Sequence, residues 1–298
     1  MKTLKKIAMG IITTIVASAG VLQIAGATPG ETTVSGFSFP ESAIHDPYTD
    51  RYIVSNSGNA PGAPAAPGYI STVSPNGQVI NYKWIDGANS NTTLNDPLGM
   101  AVFAGKLYVA DVDYVRVFSV FTGQNLANIH VSGVTGFNDV AAYWGGVFVS
   151  DPGFDFTTGI PTGTDAVYRV NGLTNQVTTL ASGTQLNNPN GLFYDPSKGL
   201  LVNPMTSPTV RILNTSTGAM SNFVTLPDLG YDGIAKTGGK FYFNNPPTGN
   251  VYRTDLNGAN ATLFANYPNF PADINADALR NRLLIPQLLG GSIIIKQL

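Results

Sequence analysis

Short apolar runs that end in a polar or turn-forming residue recur along the chain. They read Arg51-Tyr-Ile-Val-Ser-Asn56, Lys106-Leu-Tyr-Val-Ala-Asp111, Gly146-Val-Phe-Val-Ser-Asp151, Gly199-Leu-Leu-Val-Asn-Pro204, Lys240-Phe-Tyr-Phe-Asn-Asn245 and Arg282-Leu-Leu-Ile-Pro-Gln287. Their last residues lie 55, 40, 53, 41 and 42 positions apart, the spacing of four-stranded propeller blades of about 40 to 50 residues. A turn precedes each run, as in Asp46-Pro-Tyr-Thr-Asp50 and Asp195-Pro-Ser-Lys-Gly199, so each is the second arm of a hairpin. A third strand follows, for example Tyr114-Val-Arg-Val-Phe118 or Ser292-Ile-Ile-Ile-Lys296.

The last unit stops at that third strand, and a lone strand at about Val34 to Phe39 precedes the first unit. The pattern therefore predicts an all-β, six-bladed β-propeller with four-stranded antiparallel blades. An N-terminal strand joining the C-terminal blade closes the ring and leaves no exposed sheet edge. A β-sandwich or β-helix explains neither the six repeats nor the strand left over at each end. Two units are longer than the rest, and the surplus lies at 57–68 and 152–164, between a second and a third strand. Both insertions are expected on the face where the innermost strands begin.

The first residues change the domain boundary. Lys2, Lys5 and Lys6 precede an apolar run from Ile7 to Ile24 and then Ala25-Gly26-Ala27, the form of a signal peptide with its small-residue cleavage site. An uncleaved membrane anchor is the alternative, since the run approaches the roughly 20 residues that span a bilayer. The expectation is a signal peptide over 1–27 and one propeller domain over 28–298, exported to the periplasm or the exterior as a monomer. Without the three lysines, 13 basic residues face 18 acidic ones. That balance offers no basic face for nucleic acid or an anionic membrane. The absence of cysteine excludes disulfides, a thiolate nucleophile, Cys-ligated zinc and a lipoprotein anchor.

Aligned on the repeated runs, the innermost strands open with Pro40-Glu41, Pro97-Leu98, Asn138-Asp139, Pro189-Asn190, Tyr231-Asp232 and Ala272-Asp273. Five of the six units thus place a carboxylate or carboxamide where the strands converge on the axis. Such a ring suits a hard divalent cation, Ca²⁺ foremost, with Mg²⁺, Mn²⁺ or Zn²⁺ as alternatives. Glu41 and Glu31 are the only glutamates, and a lone carboxylate opening an apolar strand calls for a partner. The bland alternative is that these Asp and Asn residues cap turns.

Pro40-Glu41, Phe137-Asn138-Asp139, Asn188-Pro189-Asn190-Gly191 and Tyr231-Asp232-Gly233 resemble the signature segments of the senescence-marker/gluconolactonase family and its paraoxonase relatives. The resemblance implies that Glu41, Asn190 and Asp232 ligate a catalytic metal, with Asn138 touching metal or substrate. It also implies hydrolysis of a lactone or related ester of a small molecule. In that reading Asp232 and Asn138 act in catalysis, and Asp139 and Asp273 tune the site or hold a second ion.

Some features depart from the family. The only histidines are His45 and His130, expected at the far end of the first strand and in an outer strand. Leu98 breaks the column, and no arginine stands ready to grip a sugar acid. Trp84, Tyr143 and Trp144 are expected to pack between blades. A non-catalytic propeller of the NHL-repeat type, binding a peptide, glycan or envelope partner, is the main alternative function. A lyase or synthase would need a catalytic Glu or His elsewhere in the pocket. No nucleophile elbow, phosphate loop or His-Glu-x-x-His helix occurs.

Overall fold

The structure, a computed structural model, describes residues 30–59, 67–89 and 93–298. The segment read as a signal peptide and the middle of the first insertion lie outside the described residues. Strand β1 (Glu31–Ser35) opens the fold. Blade one is β2 (Pro40–Asp46), β3 (Arg51–Asn56), β4 (Tyr69–Val73) and β5 (Val79–Asp86). Blade two is β6 (Pro97–Phe103), β7 (Lys106–Asp111), β8 (Tyr114–Ser119) and β9 (Asn125–His130). Blade three is β10 (Val140–Tyr143), β11 (Gly146–Asp151), β14 (Ala166–Asn171) and β15 (Val177–Ser182), interrupted by a hairpin of β12 (Phe154–Asp155) and β13 (Ile160–Pro161). Blade four is β16 (Pro189–Asp195), β17 (Gly199–Pro204), β18 (Thr209–Leu213) and β19 (Met220–Thr225). Blade five is β20 (Ile234–Thr237), β21 (Lys240–Asn245), β22 (Asn250–Asp255) and β23 (Thr262–Asn266). Blade six is β24 (Asn275–Asp277), β25 (Arg282–Gln287) and β26 (Ser292–Gln297), with β1 as its outer strand.

Six four-stranded antiparallel sheets result, and β1 pairs with β26 from Glu31↔Lys296 to Ser35↔Ser292. The closing strand runs three residues ahead of the Val34–Phe39 reading. It ends at Ser35 because Gly36 turns the chain at φ 99°. The next two backbone N–H groups both donate to Gly291 O, and Phe37 packs into the cluster shared by blades six and one.

The apolar core lies between blades. Six buried clusters each join two adjacent blades, for example Leu107 and Val109 with blade one and Tyr108 and Ala110 with blade three. Alternate side chains of a second strand thus bury against opposite neighbours. This is why the repeated runs are continuously apolar rather than alternating. Among the described residues no helix is long and apolar enough to cross a membrane.

The strand pairings define two faces. One end collects the starts of the innermost strands, the ends of the second strands and the β12–β13 hairpin; we call this the upper face. The other end carries the hairpin turns between first and second strands. Trp144, in one of those turns, is 75% exposed and does not pack between blades as its sequence suggests. Its indole N–H donates to the Tyr194 hydroxyl at 2.7 Å, because a turn residue has no neighbouring sheet to cover it. Tyr143 does pack inward, stacked on Phe148, and Trp84 lies under the Arg51 guanidinium.

Candidate metal centre

Each innermost strand loses regular pairing at the column of polar residues. In blades one, two and four the register slips between Pro40 and Ala43, Pro97 and Met100, and Pro189 and Leu192. Glu41, Leu98 and Asn190 sit inside these irregularities. In blades three, five and six the paired strand begins only after Asp139, Asp232 and Asp273. Breaking the ladder at this level frees the chain to aim a side chain at the axis.

The gap between strands is narrow here. A Cβ on Gly191 would lie 1.9 Å from Asp232 O, and one on Gly233 would lie 2.3 Å from Ile274 N. Glycine after the column residue therefore lets neighbouring innermost strands touch. Side chains stitch the same contact: the Asn203 amide donates to Asp232 O, and that of Asn244 to Ala272 O at 3.0 Å. Ser42 Oγ reaches Asp273 Oδ2 at 2.6 Å, and the Leu192 N–H donates to Asp139 Oδ2 at 2.6 Å.

All six polar residues named from the sequence are buried: Glu41, Asn138, Asp139, Asn190, Asp232 and Asp273 are each no more than 8% exposed. Their hydrogen bonding separates them into two groups. Asp139 accepts from the N–H groups of Val140 and Leu192, and Asp273 accepts from Ser42, so both have partners. Glu41 Oε2, Asn138 Oδ1, Asn190 Oδ1 and Asp232 Oδ1 have none. A buried polar atom without a partner costs about 1–3 kcal/mol, and these four occur on four different blades around one axis. The sequence did not single out Asn203 and Asn244, whose Oδ1 atoms are also buried without partners. Both end the apolar part of a repeated run, where the other units have Ser55, Ala110, Ser150 and Pro286.

The turn-capping alternative belongs to other residues. At the ends of second strands, Asp111 accepts from the N–H groups of Asn95 and Asp96, both at 2.7 Å, and Asp151 accepts from Gly153 and Thr135. Asp46 and Asp195 organise the turns of the opposite face.

Electrostatics isolates the ring further. Burial, and then the charges of Asp232, Asp273, Asp139 and Asp96, hold the Glu41 carboxyl well above the usual range. Burial and the Asp273 charge do the same for Asp139 and Asp232. Burial lifts Asp273 itself to about 7 despite its Ser42 bond. None of these four carboxylates takes part in an ion pair among the described residues. Asp96, which the sequence reading passed over, adds a fifth acid; burial and Asp111 push it up to about 6. It stands two residues before Leu98, so blade two contributes negative charge although its column position is apolar.

Among the described residues no three His, Cys, Asp or Glu side chains are grouped so as to hold an ion on their own. The residues able to hold one are a mixed set, the carboxylates of Glu41 and Asp232 with the amide oxygens of Asn138 and Asn190. His45 lies at the opposite face, its Nε2 3.0 Å from Asp50 Oδ1. His130 is on outer strand β9, 3.0 Å from Asp113. The β12–β13 hairpin rises on the upper face, tied to Thr135 through the hydroxyls of Thr162 and Thr164.

Searches against family models and curated proteins find no match. Among solved structures, a protein described provisionally as a gluconolactonase superposes with a TM-score of 0.64. It is 17% identical, over 90% of this chain and 93% of its own. The resemblance to gluconolactonase-like propellers holds at the level of the fold. A virginiamycin B lyase from Staphylococcus aureus gives 0.62 at 11% identity over 90% and 99%. A chain of a nidogen/laminin complex gives 0.56 at 15% identity over 73% and 76%. One fold thus accompanies proteins of several different names, and any activity has to be argued from the site.

Proposed function

We propose that this propeller is a divalent-metal-dependent hydrolase acting on lactones or esters of small molecules at its axial site. The observation that carries the reading is the set of four buried, unpartnered oxygens on Glu41, Asn138, Asn190 and Asp232. They are hard oxygen donors set among carboxylates with no cationic partner, a donor set that suits Ca²⁺ better than a soft metal. When bound, such an ion polarises a carbonyl and acidifies water.

The protein's own groups supply the rest. Asp232 lacks a hydrogen-bond donor on Oδ1 and has a raised proton affinity, which suits it to accept a proton from water. Asn138 offers one face of a carboxamide to metal or substrate, held in place by its backbone N–H to Ser150 O at 2.9 Å. Asp139 and Asp273 position the strands through bonds to Leu192 and Ser42.

The solved relatives bear on the lyase alternative. A catalytically inactive His→Ala variant of the Staphylococcus lyase, crystallised with quinupristin, matches this chain at 11% identity with a TM-score of 0.59. Here both histidines lie away from the axial ring, which favours hydrolysis over a histidine-dependent lyase.

The test begins with metal content and thermal midpoint of the purified protein, before and after chelation, beside a Glu41→Gln/Asp232→Asn variant. The expected result is one divalent ion per chain, lost in the variant, with stability that drops on chelation and returns with Ca²⁺. A lactone and ester panel then reads the activity. A metal-free protein indifferent to chelation overturns the hydrolase and leaves a binding propeller of the NHL kind.

A further inference from the structure

Charge is separated along the propeller axis. All acidic residues except Glu31, Asp46, Asp50, Asp195, Asp255 and Asp277 sit at the upper face, so twelve of the eighteen lie on the side that holds the channel mouth, from the axis out to the outer strands. Of the thirteen described basic residues only Lys83 and Arg116 share that face. Arg211 lies midway, and the other ten are at the opposite end or reach it. Arg116 is spent on Asp111, at 2.7 Å, and Lys83 faces Asp86 at 3.6 Å. Even without the five axial acids, whose carboxyls hold their protons more tightly, seven carboxylates on this face outnumber its two basic residues.

The separation follows from the repeat. A basic residue opens the second strand in four units (Arg51, Lys106, Lys240 and Arg282), at the far turn, while an acid opens the first strand in four (Glu41, Asp139, Asp232 and Asp273) and closes the second in two (Asp111 and Asp151). The same face carries exposed apolar side chains. Phe156 and Ile160 on the β12–β13 hairpin are 43% and 54% exposed, with Leu229 at 39% in the β19–β20 loop and Leu289 at 44% in the β25–β26 loop. An acidic throat with an apolar rim focuses the field on approaching ligands. The buried oxygens without partners mark where a ligand would end its approach.

We propose that the axial site takes small substrates carrying a positive charge on an apolar body and turns anions away. The reaction rests on the hydrolase reading above; the charge selection is a property of the face and is testable without turnover. In hydrolysis of a thioester probe, water's hydroxyl joins the acyl carbon, the acyl–sulfur bond breaks and the sulfur takes the proton. The acid so formed ionises, and the same field that draws in a cationic substrate drives out its anionic product.

The binding test uses the Ca²⁺-loaded protein and calorimetric titration with phenyltrimethylammonium and with benzenesulfonate. The cation is expected to bind at least about tenfold more tightly in 20 mM NaCl, and the ratio should fall several-fold in 500 mM. An Asp86→Asn/Asp113→Asn/Asp155→Asn variant, altered only at the rim, should weaken the cation by about two- to fivefold. A Lys198→Gln control at the opposite face should leave it unchanged. In parallel, three thioacetates that differ only in a trimethylammonium, tert-butyl or sulfonate terminus are compared by kcat/KM, expected in that descending order. Cation-selective binding without turnover of any thioacetate would count against the hydrolase and leave the charge selection standing. Turnover with no order among the three termini, equal binding of cation and anion, or no binding of the cation overturns the proposal.

Discussion

Replacing Asp273 by Asn probes the like-charge ring directly, in chelator so that no cation masks the effect. Asp273 is 2% exposed, and burial raises its carboxyl from 3.8 to about 7. An acid whose pKa is higher folded than unfolded binds more protons in the folded state between those two values. Its stabilising contribution is therefore complete below about pH 4 and is lost as pH rises toward 7. A rise of that size corresponds to about 4 kcal/mol.

Asparagine keeps an oxygen for the Ser42 hydroxyl and removes the charge that raises Asp139 and Asp232. At pH 5 the parent has already lost somewhat more than a third of that contribution and should melt about 3 °C below the variant. By pH 8 the variant should melt roughly 8 °C higher, at about 2 °C per kcal/mol for a domain of this size. Differential scanning fluorimetry in EDTA from pH 5 to 8 reads the difference. Asp50, held at about 2 by Arg280 and His45, is already ionised across that window and does not contribute. A midpoint difference that stays flat from pH 5 to 8, or a variant that is less stable at pH 8, would refute the electrostatic argument. Saturating Ca²⁺ should shrink the variant's advantage, since the cation relieves the same repulsion.

Other perturbations test the framework around the ring. Gly191→Ala sets a methyl 1.9 Å from Asp232 O, so blades four and five must part by more than about 1 Å to reach ordinary contact; urea denaturation should show a loss of about 3 kcal/mol, and calorimetry weaker metal binding. Arg116→Met leaves buried Asp111 without its 2.7 Å partner and should lower stability by about 3 kcal/mol by the same denaturation assay; an unchanged midpoint would show that the N–H groups of Asn95 and Asp96 satisfy that carboxylate alone. A chain beginning at Gly36 lacks β1 and exposes the edge of β26; it should melt at least about 10 °C lower and form oligomers visible by light scattering.

The repeat was legible because every second strand is buried on both sides. Lys106-Leu-Tyr-Val-Ala-Asp111 and its five counterparts had to be apolar without alternation, and a turn had to precede each. Blade count, the localised insertions and the N-terminal closing strand follow from that one requirement. The polar column was visible for the same reason, since Glu41, Asp139, Asn190, Asp232 and Asp273 stand at one phase of a strong repeat. Asp96 escaped notice because it is out of phase by two residues. Asn203 and Asn244 escaped because their asparagines occupy a position filled elsewhere by Ser, Ala or Pro.

The order of hydrophobic and polar residues, by itself, determined the number of blades, the ring closure and the level at which polar groups meet the axis, because burial on two faces constrains every strand alike. Which oxygens at that level are free was decided only by the tertiary structure. Asp139 and Asn138 are neighbours in the chain, yet the first is consumed by the backbone of blade four and the second is left bare. That distinction arises from contacts between blades distant in sequence, set by where glycine lets two innermost strands touch and where a register slip turns a side chain toward the axis.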